Sequence, residues 1–464
     1  MVTLDEWLAA AGRAVGTGPT QFPHVCVDSR EVGAGDLFVA LRGERTDGHR
    51  FVQDAFARGA GGAVVREVPP AVPAGYTVIQ VTDPLRALWT VADRRRQKAA
   101  LRMIGVTGSV GKTTTKEWIA LVLGTTFRTF RTEGNRNTEI GLPVSLLELT
   151  GKEEAGVAEM GMRTAGEIRL LADLVRPQVG VVTNIGESHI GRLGSKEAIA
   201  HAKAELFESL PPDGIAIVPG DEPFAPLLLA SAACDAWTVG EADDDTVRAE
   251  EIERDGDGVA FTVVHGGERA RARLAFAGRH LLVNALLAIA AGRAVGVSLA
   301  SAAGAVERFE SAPGRGRVVR TEPFWLVDDS YNASPTSVRG ALELLAGTAT
   351  DRARRTVVVL GEMRELGGRS RSLHQESGRD IGRFAPDLLI AIGGTDADTL
   401  TAAAVDSGLD PARVVRVADV ELAVAAVLGQ IQAGDRVLVK GAHALGMDRI
   451  VTALVAHEME RSAT

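Results

Sequence analysis

The chain has 464 residues, a formal net charge of −9 and two cysteines. The length exceeds one ordinary core and implies about three domains. The acidic balance argues against nonspecific contact with nucleic acid or anionic membranes, and Cys26 and Cys234, without metal-ligand spacing, read as thiols of a reducing compartment. The N-terminal run Met1 to Trp7 is acidic and amphipathic, unlike a secretion signal. A short helix is expected over Leu4, Trp7, Leu8 and Ala11, followed by strands at 25–27, 37–40, 63–65 and 78–81 around a helix at 52–58. An arginine-rich polar stretch, 93–98, leads into the next segment.

The apolar run 101–106 ends in Thr107-Gly108-Ser109-Val110-Gly111-Lys112-Thr113-Thr114, and Trp118, Ile119, Val122 and Leu123 then mark one face of a helix. Such a strand, glycine loop and helix cradle phosphates: backbone N–H groups turn inward at Gly108, Ser109 and Gly111, the helix dipole adds positive potential, and Lys112 adds a cation. Thr113 can offer a hydroxyl to magnesium. Val106 stands where the strict G-x-x-x-x-G-K-[ST] spacing has its first glycine. The segment continues with strands at 156–158, 179–183 and 215–218, which imply a mainly parallel sheet. A small antiparallel excursion is expected at 249–264, then an alanine-rich helix at 280–294. The longest apolar region, 281–297, is broken by Asn284 and Arg293, so no membrane span is expected and the protein reads as soluble and cytoplasmic. Gly314-Arg315-Gly316-Arg317 marks a second boundary, and β runs at 324–327, 356–360, 388–392 and 437–439 alternate with helices as in a doubly wound domain. The expected fold is therefore α/β in three domains: a small N-terminal substrate domain (1–99), a central P-loop ATPase-like parallel-sheet domain (100–313) and a C-terminal Rossmann-like domain (314–464).

Lys112, Glu159, Asn184 and His189 each follow the carboxyl end of a predicted parallel strand, the edge where open α/β sheets bind ligands. Glu159 is a hard oxygen ligand of the kind magnesium prefers, or an N-terminal helix carboxylate. His189 can be a metal ligand, a phosphate donor or a loop histidine. Lys203 lies on a helix, and its pattern alone does not distinguish it from Lys196. Asn284, on an otherwise apolar helix face, can read an adenine edge or cap a backbone group.

TGSVGKTT, AEMG, TNIGESHIGRLGS, HAKAEL, GRHLLVNAL, APGR and DDSYNASPTS occur in the order found in the Mur ligases, ATP-dependent amide ligases of peptidoglycan assembly, and the chain resembles that family over all three segments. The stretches Asp28-Ser29-Arg30, Leu37 to His49 and Gly134-Asn135-Arg136-Asn137-Thr138-Glu139 add to the resemblance. It implies an ADP-forming ligase that joins D-Ala-D-Ala to a UDP-N-acetylmuramoyl-tripeptide through an acyl phosphate. The same resemblance implies roles for individual residues. Lys112 would contact the β- and γ-phosphates beside Gly108, Ser109, Gly111 and Thr114. Thr113 and Glu159 would hold Mg2+, His189 would help to position a second ion, and Lys203 would be carbamylated. Asn284 would read adenine, Asp329 the ribose hydroxyls, and Arg315 the γ-phosphate. Asp28, Ser29 and Arg30 would meet the UDP end, while Asn135, Asn137, Thr138, Asn332 and Lys440 would face the peptide substrates. Lys440-Gly441-Ala442-His443 stands where the family has K-G-S-R, and Thr138 where it often has asparagine. The ligase of the preceding diamino acid commonly shows D-N-P-R, which this sequence lacks. A folate ligase fits the N-terminal stretches less well, and a nucleotide-gated binding protein without ligase activity is the alternative from another class.

Overall fold

The computed structural model describes the chain except residues 11, 44–45, 257, 276–277, 321–323, 348–354 and 463–464, and describes 458–462 by backbone alone. Ala11 of the first expected helix, and Glu44 and Arg45 of the N-terminal stretch, lie outside the described residues. That helix spans Leu4–Ala9, and Thr3 and Glu6 close a capping box at its start.

Among the described residues, three larger sheets carry the chain. The first has five strands in the order Arg13–Gly16, Thr77–Gln80, Gly62–Val65, Leu37–Val39, Val25–Cys26. Phe38, Val52, Ala55, Phe56, Val65 and Val78 form a core between this sheet and the helix Val52–Ala57. The arginine-rich stretch 93–98 that leads into the next segment is the end of a helix, Pro84–Lys98. Asp83 caps it by accepting from the Leu85 and Arg86 amides, and proline in the first turn loses no intrahelical bond. Arg96, buried on that helix, donates to the Val175 carbonyl at 2.6 Å and to the Ala99 carbonyl at 3.1 Å.

The central sheet has nine strands, in the order Glu268–Leu274, Gly258–His265, Val247–Asp255, Asp235–Gly240, Ile215–Pro219, Val179–Val182, Arg102–Thr107, Ala155–Glu159, Thr129–Arg131. The Val179–Val182 run VGVV is buried throughout, as expected of a parallel strand covered on both faces. The expected antiparallel excursion is instead the edge of this same sheet, three strands joined to it through the parallel pairing of Asp235–Gly240 with Val247–Asp255. The alanine-rich helix is Arg279–Ala294.

The third sheet has six strands rather than four: Arg317–Arg320, Trp325–Asp329, Asp435–Lys440, Arg355–Gly361, Leu388–Ile392 and Val414–Val417 in spatial order, parallel after the first pair. Leu326, Val357, Val359, Ile390, Val437, Val439 and Ile450 form its core. Residues 1–105, 127–162 and 167–178 make one compact unit, and 106–126, 163–166 and 179–464 another. No helix among the described residues is long and apolar enough to cross a membrane.

Candidate active site

The strand Arg102–Thr107 delivers the chain into a loop that only glycine could thread. Gly108 has φ +149, and a Cβ on it would lie 1.8 Å from Thr183 Oγ1. Gly111, the residue before the helix Lys112–Leu123, has φ +84, and a Cβ there would lie 3.0 Å from both polar atoms of the Asn284 amide. The loop is bonded from one side by the segment that leaves Val179–Val182. The Ser109 amide donates to the Asn184 carbonyl and the Val110 amide to Asn184 Oδ1, both at 3.0 Å. Thr183 Oγ1 and Asn184 Nδ2 both donate to the Val110 carbonyl, at 2.6 and 2.9 Å. The Gly186 amide donates to Ser109 Oγ at 2.8 Å. With its backbone fixed this way, the loop presents the N-terminus of a twelve-residue helix, a ready anion site. Lys112 Nζ donates to the Gly108 carbonyl at 2.8 Å. Thr113 is buried and Thr114 half-buried in the first turn.

Lys203 is not the solvated lysine its helix pattern allowed. It is 2% exposed on the helix Lys196–Glu208. Burial, and then the charge of Lys112, hold its amine well below the usual lysine range. His189 adopts left-handed backbone, φ 66, and its Nδ1 lies 2.8 Å from Glu365 Oε2. The contact is close but lacks hydrogen-bond alignment, and His189, with burial opposing it, leaves the Glu365 carboxyl below its ordinary value. Glu187, 1% exposed, accepts from Thr336 Oγ1 at 2.6 Å and pairs with Lys196 Nζ at 2.5 Å. Burial pushes that carboxyl up, but Lys196 and Thr336 outweigh it and the net shift is downward. Asn284 is buried with its amide against Gly111.

On the third sheet, Lys440 ends the strand Asp435–Lys440. It is 1% exposed, donates to Asp329 Oδ2 at 2.5 Å and to the Asn332 carbonyl at 2.8 Å, and so has two of its three donors committed within the protein. Burial pushes the Asp329 carboxyl up while Lys440 acts against it. Arg315 lies over the Tyr331 ring at 3.9 Å, and that ring meets His443 at 5.0 Å between centroids.

In the other compact unit, Glu159 ends the strand Ala155–Glu159 and is 2% exposed. Asn137 Nδ2 donates to its Oε1 at 2.7 Å, and the Glu159 amide donates to Thr132 Oγ1 at 3.1 Å. Asn137 thus orients the carboxylate. Thr138 Oγ1 accepts from the Gly141 amide at 3.2 Å, a turn contact ahead of the helix Gly141–Leu146, and the Asn135 carbonyl accepts from the Asn137 amide. Asp28 accepts from the Arg30 guanidinium through both oxygens, which draws its carboxyl down to about 2, and Arg30 is 81% exposed beside it, with Ser29 between them. Sequence reasoning missed Thr132, Glu187, Thr336, Glu365 and the buried His374. His374 Nε2 accepts from the Met363 amide at 3.0 Å and fixes the loop that carries Glu365. Glu187 sat inside a quoted stretch, yet nothing in the sequence tied it to Thr336, 149 positions away. Among the described residues no three His, Cys, Asp or Glu side chains form a metal-binding group.

A phosphate loop at the end of a parallel strand, with a buried lysine behind it and two further α/β sheets, defines a nucleotide-dependent enzyme of multidomain architecture. The chain matches the Mur ligase family catalytic domain over residues 21–96, the Mur ligase middle domain over 106–292 and the glutamate ligase domain of Mur ligases over 314–443. It is 36% identical to the UDP-N-acetylmuramoyl-tripeptide–D-alanyl-D-alanine ligase of Bacillus subtilis (strain 168), with 93% of each chain covered. MurF from Acinetobacter baumannii superposes with a TM-score of 0.85 at 31% identity, covering 97% of this chain and 98% of that one. MurF ligase from Thermotoga maritima, solved in complex with ADP, gives 0.80 at 25% identity over 94% and 98%. The chain belongs to the Mur ligase family, and it is an ATP-dependent ligase.

Proposed function

We propose that the protein joins the amine of D-alanyl-D-alanine to the terminal carboxylate of UDP-N-acetylmuramoyl-tripeptide, forming ADP and phosphate, in peptidoglycan precursor synthesis in the cytoplasm. The observation that carries this reading is likeness along the whole chain to relatives bearing that name, 93% of both chains in the Bacillus subtilis case. The site supports it chemically. A carboxylate oxygen attacks the γ-phosphorus and ADP leaves. The amine then attacks the acyl carbon of the acyl phosphate, loses a proton, and phosphate departs with one former carboxylate oxygen. Lys112 and the amides of Gly108, Gly111, Thr113 and Thr114 would hold the phosphates beside Ser109, whose own amide is taken by the Asn184 carbonyl, with Arg315 at the γ end. Asn284 would read the base and Asp329 the ribose. Asp28, Ser29 and Arg30 would bind the UDP end, and Asn135, Asn137, Thr138, Asn332 and Lys440 would line the peptide side. Within the chain, we assign 1–99 to the UDP-substrate domain, 100–313 to the ATP domain and 314–464 to the dipeptide domain.

The donor set also suits magnesium. Thr113 and Glu159 offer oxygens, and Lys203, buried with its amine held well below the usual lysine range, is a lysine whose neutral form can add CO2 and release a proton to become an anionic carbamate. Those three, with His189 once it leaves Glu365, would hold the ions. When bound, Mg2+ would lower the repulsion between the triphosphate and the substrate carboxylate. ADP release should require UDP-N-acetylmuramoyl-tripeptide, D-Ala-D-Ala, ATP and Mg2+ together. Release that continues at full rate with the dipeptide omitted would contradict ligation.

A further inference from the structure

The segment 183–191 is bonded on both sides. On one side it holds the phosphate loop through Thr183, Asn184 and Gly186, and Ser188 Oγ adds a bond to the Ser109 carbonyl at 3.3 Å. On the other it holds two elements of the third sheet. Glu187 takes the hydroxyl of Thr336, in the first turn of the helix Pro335–Gly347. His189 meets Glu365, and the Gly191 amide donates to the Glu365 carbonyl at 3.2 Å. Backbone closeness reinforces these contacts, since a Cβ on Gly191 would lie 2.6 Å from the Gly367 nitrogen and one on Gly186 would lie 2.9 Å from Thr336 Oγ1. His189 and Glu365 both carry positive φ, 66 and 64. Such strain persists where surrounding bonds over-determine it, and it gathers at functional positions. His374 fixes the 361–366 loop from behind. Thr336 follows Asp329, Tyr331 and Asn332 by a few residues, and Lys440, bonded to Asp329 and to the Asn332 carbonyl, ties that turn to the sheet.

We propose that Glu187 and Thr336 form a positioning clasp that makes the seating of the third sheet's helix Pro335–Gly347 depend on the occupancy of the phosphate loop. The clasp deepens the ligase reading and rests on it for its meaning in catalysis. Glu187 touches no reacting atom. It is the buried anion that joins a nucleotide-sensitive loop to the helix following the Asp329–Asn332 turn, and Thr336 supplies the neutral donor that is specific to the docked arrangement. Lys196 neutralises the second carboxylate oxygen from the central sheet's own helix, so the anion is held ready independently of Thr336.

The test is hydrogen exchange with adenylyl imidodiphosphate and Mg2+, followed by steady-state kinetics. In the parent enzyme the analogue should slow exchange both at 108–115 and at 335–347. Thr336→Val should keep the effect at 108–115 within twofold but lower that at 335–347 about tenfold, the scale of one hydrogen bond to a charged acceptor. Thr336→Ser should restore it. In turnover, Thr336→Val should lower kcat about tenfold with the KM for ATP unchanged. Protection at 335–347 that survives in Thr336→Val, or that never arises in the parent, overturns the clasp. Loss at both segments assigns Thr336 to general stability and overturns it too. Failure of the parent to release ADP with both peptide substrates present would sink the ligase reading alone, because the exchange result needs no turnover.

Discussion

A lysine at position 203 is costly as a cation, because its helix buries it and the charge of Lys112 adds repulsion. Its amine in the folded protein titrates below the unfolded value of about 10.4. The unfolded chain therefore binds the extra proton, and the penalty on stability is absent above that pH and grows as pH falls toward the folded value. Lys203→Met should raise the melting midpoint at pH 7 in CO2-depleted buffer, by about 2–4 °C for each kcal/mol recovered, and leave it nearly unchanged at pH 10.5. An equal gain at both pH values would show a packing effect and no titration. The same variant should lose ligase activity. Asn137 offers a second test at this scale. With its Nδ2 on Glu159 Oε1, Asn137→Ala removes a donor from a buried carboxylate, and should lower kcat roughly tenfold or more while leaving the KM for the UDP substrate within threefold. A dominant rise in that KM would return Asn137 to direct substrate contact.

Elements differed in how plainly the sequence announced them, for reasons visible in particular residues. The continuous apolar runs at 103–106, 179–182 and 388–392 lie in strands and are buried on both faces, and their composition leaves little else for them to be. Pro84–Lys98 was obscured because its second half is Asp-Arg-Arg-Arg-Gln-Lys, although Asp83-Pro84 is a legible helix start and Arg96 is buried by carbonyl bonds no pattern reveals. Arg317–Arg320 and Val414–Val417, four residues each, lie at the two edges of the third sheet and carry no fully buried residue, so periodicity had little to register. Site positions just after strand ends were legible as spacing. Partnerships such as Glu187 with Thr336 or Lys440 with Asp329 were not, since they join distant stretches through tertiary packing. The outer strand of the central sheet, Glu268–Leu274, reads Glu-Arg-Ala-Arg-Ala-Arg-Leu, with Arg269, Arg271 and Arg273 paired to Glu250, Glu253 and Asp255 two strands in. These exposed pairs contribute little stability, and the charged edge instead discourages pairing with another chain. Replacing all three arginines with threonine should shift the melting midpoint by less than about 2 °C yet produce concentration-dependent association in light scattering. A strictly monodisperse triple variant at high concentration would mean that the arginines do not protect this edge.

Across the whole molecule, the candidate residues for the two nucleotides fall in different compact units. Lys112, Asn284, Arg315 and Asp329 belong to the unit that runs from 179 to 464 with 106–126, whereas Asp28, Ser29 and Arg30 belong to the unit containing 1–105 and 127–162. That division predicts kinetic separability. Arg30 is a largely exposed guanidinium aligned by Asp28, whose carboxyl stays ionised down to about pH 2, so the pair is fixed throughout the working range. Arg30→Ala should raise the KM for the UDP substrate about tenfold, the scale of one charge-assisted contact, and leave the KM for ATP within twofold. Asp329→Asn weakens the anchor of Lys440 and should act in the opposite sense, raising the KM for ATP while sparing that for the UDP substrate. Its Lys440 partnership adds a distinguishing sign: the KM for D-Ala-D-Ala should rise as well, because an ammonium released from Asp329 no longer holds the Asn332 carbonyl. Should Arg30→Ala and Asp329→Asn raise all three constants together, the assignment of separate nucleotide ends to separate units would be wrong, and the defect would lie in folding or in assembly of the complete site.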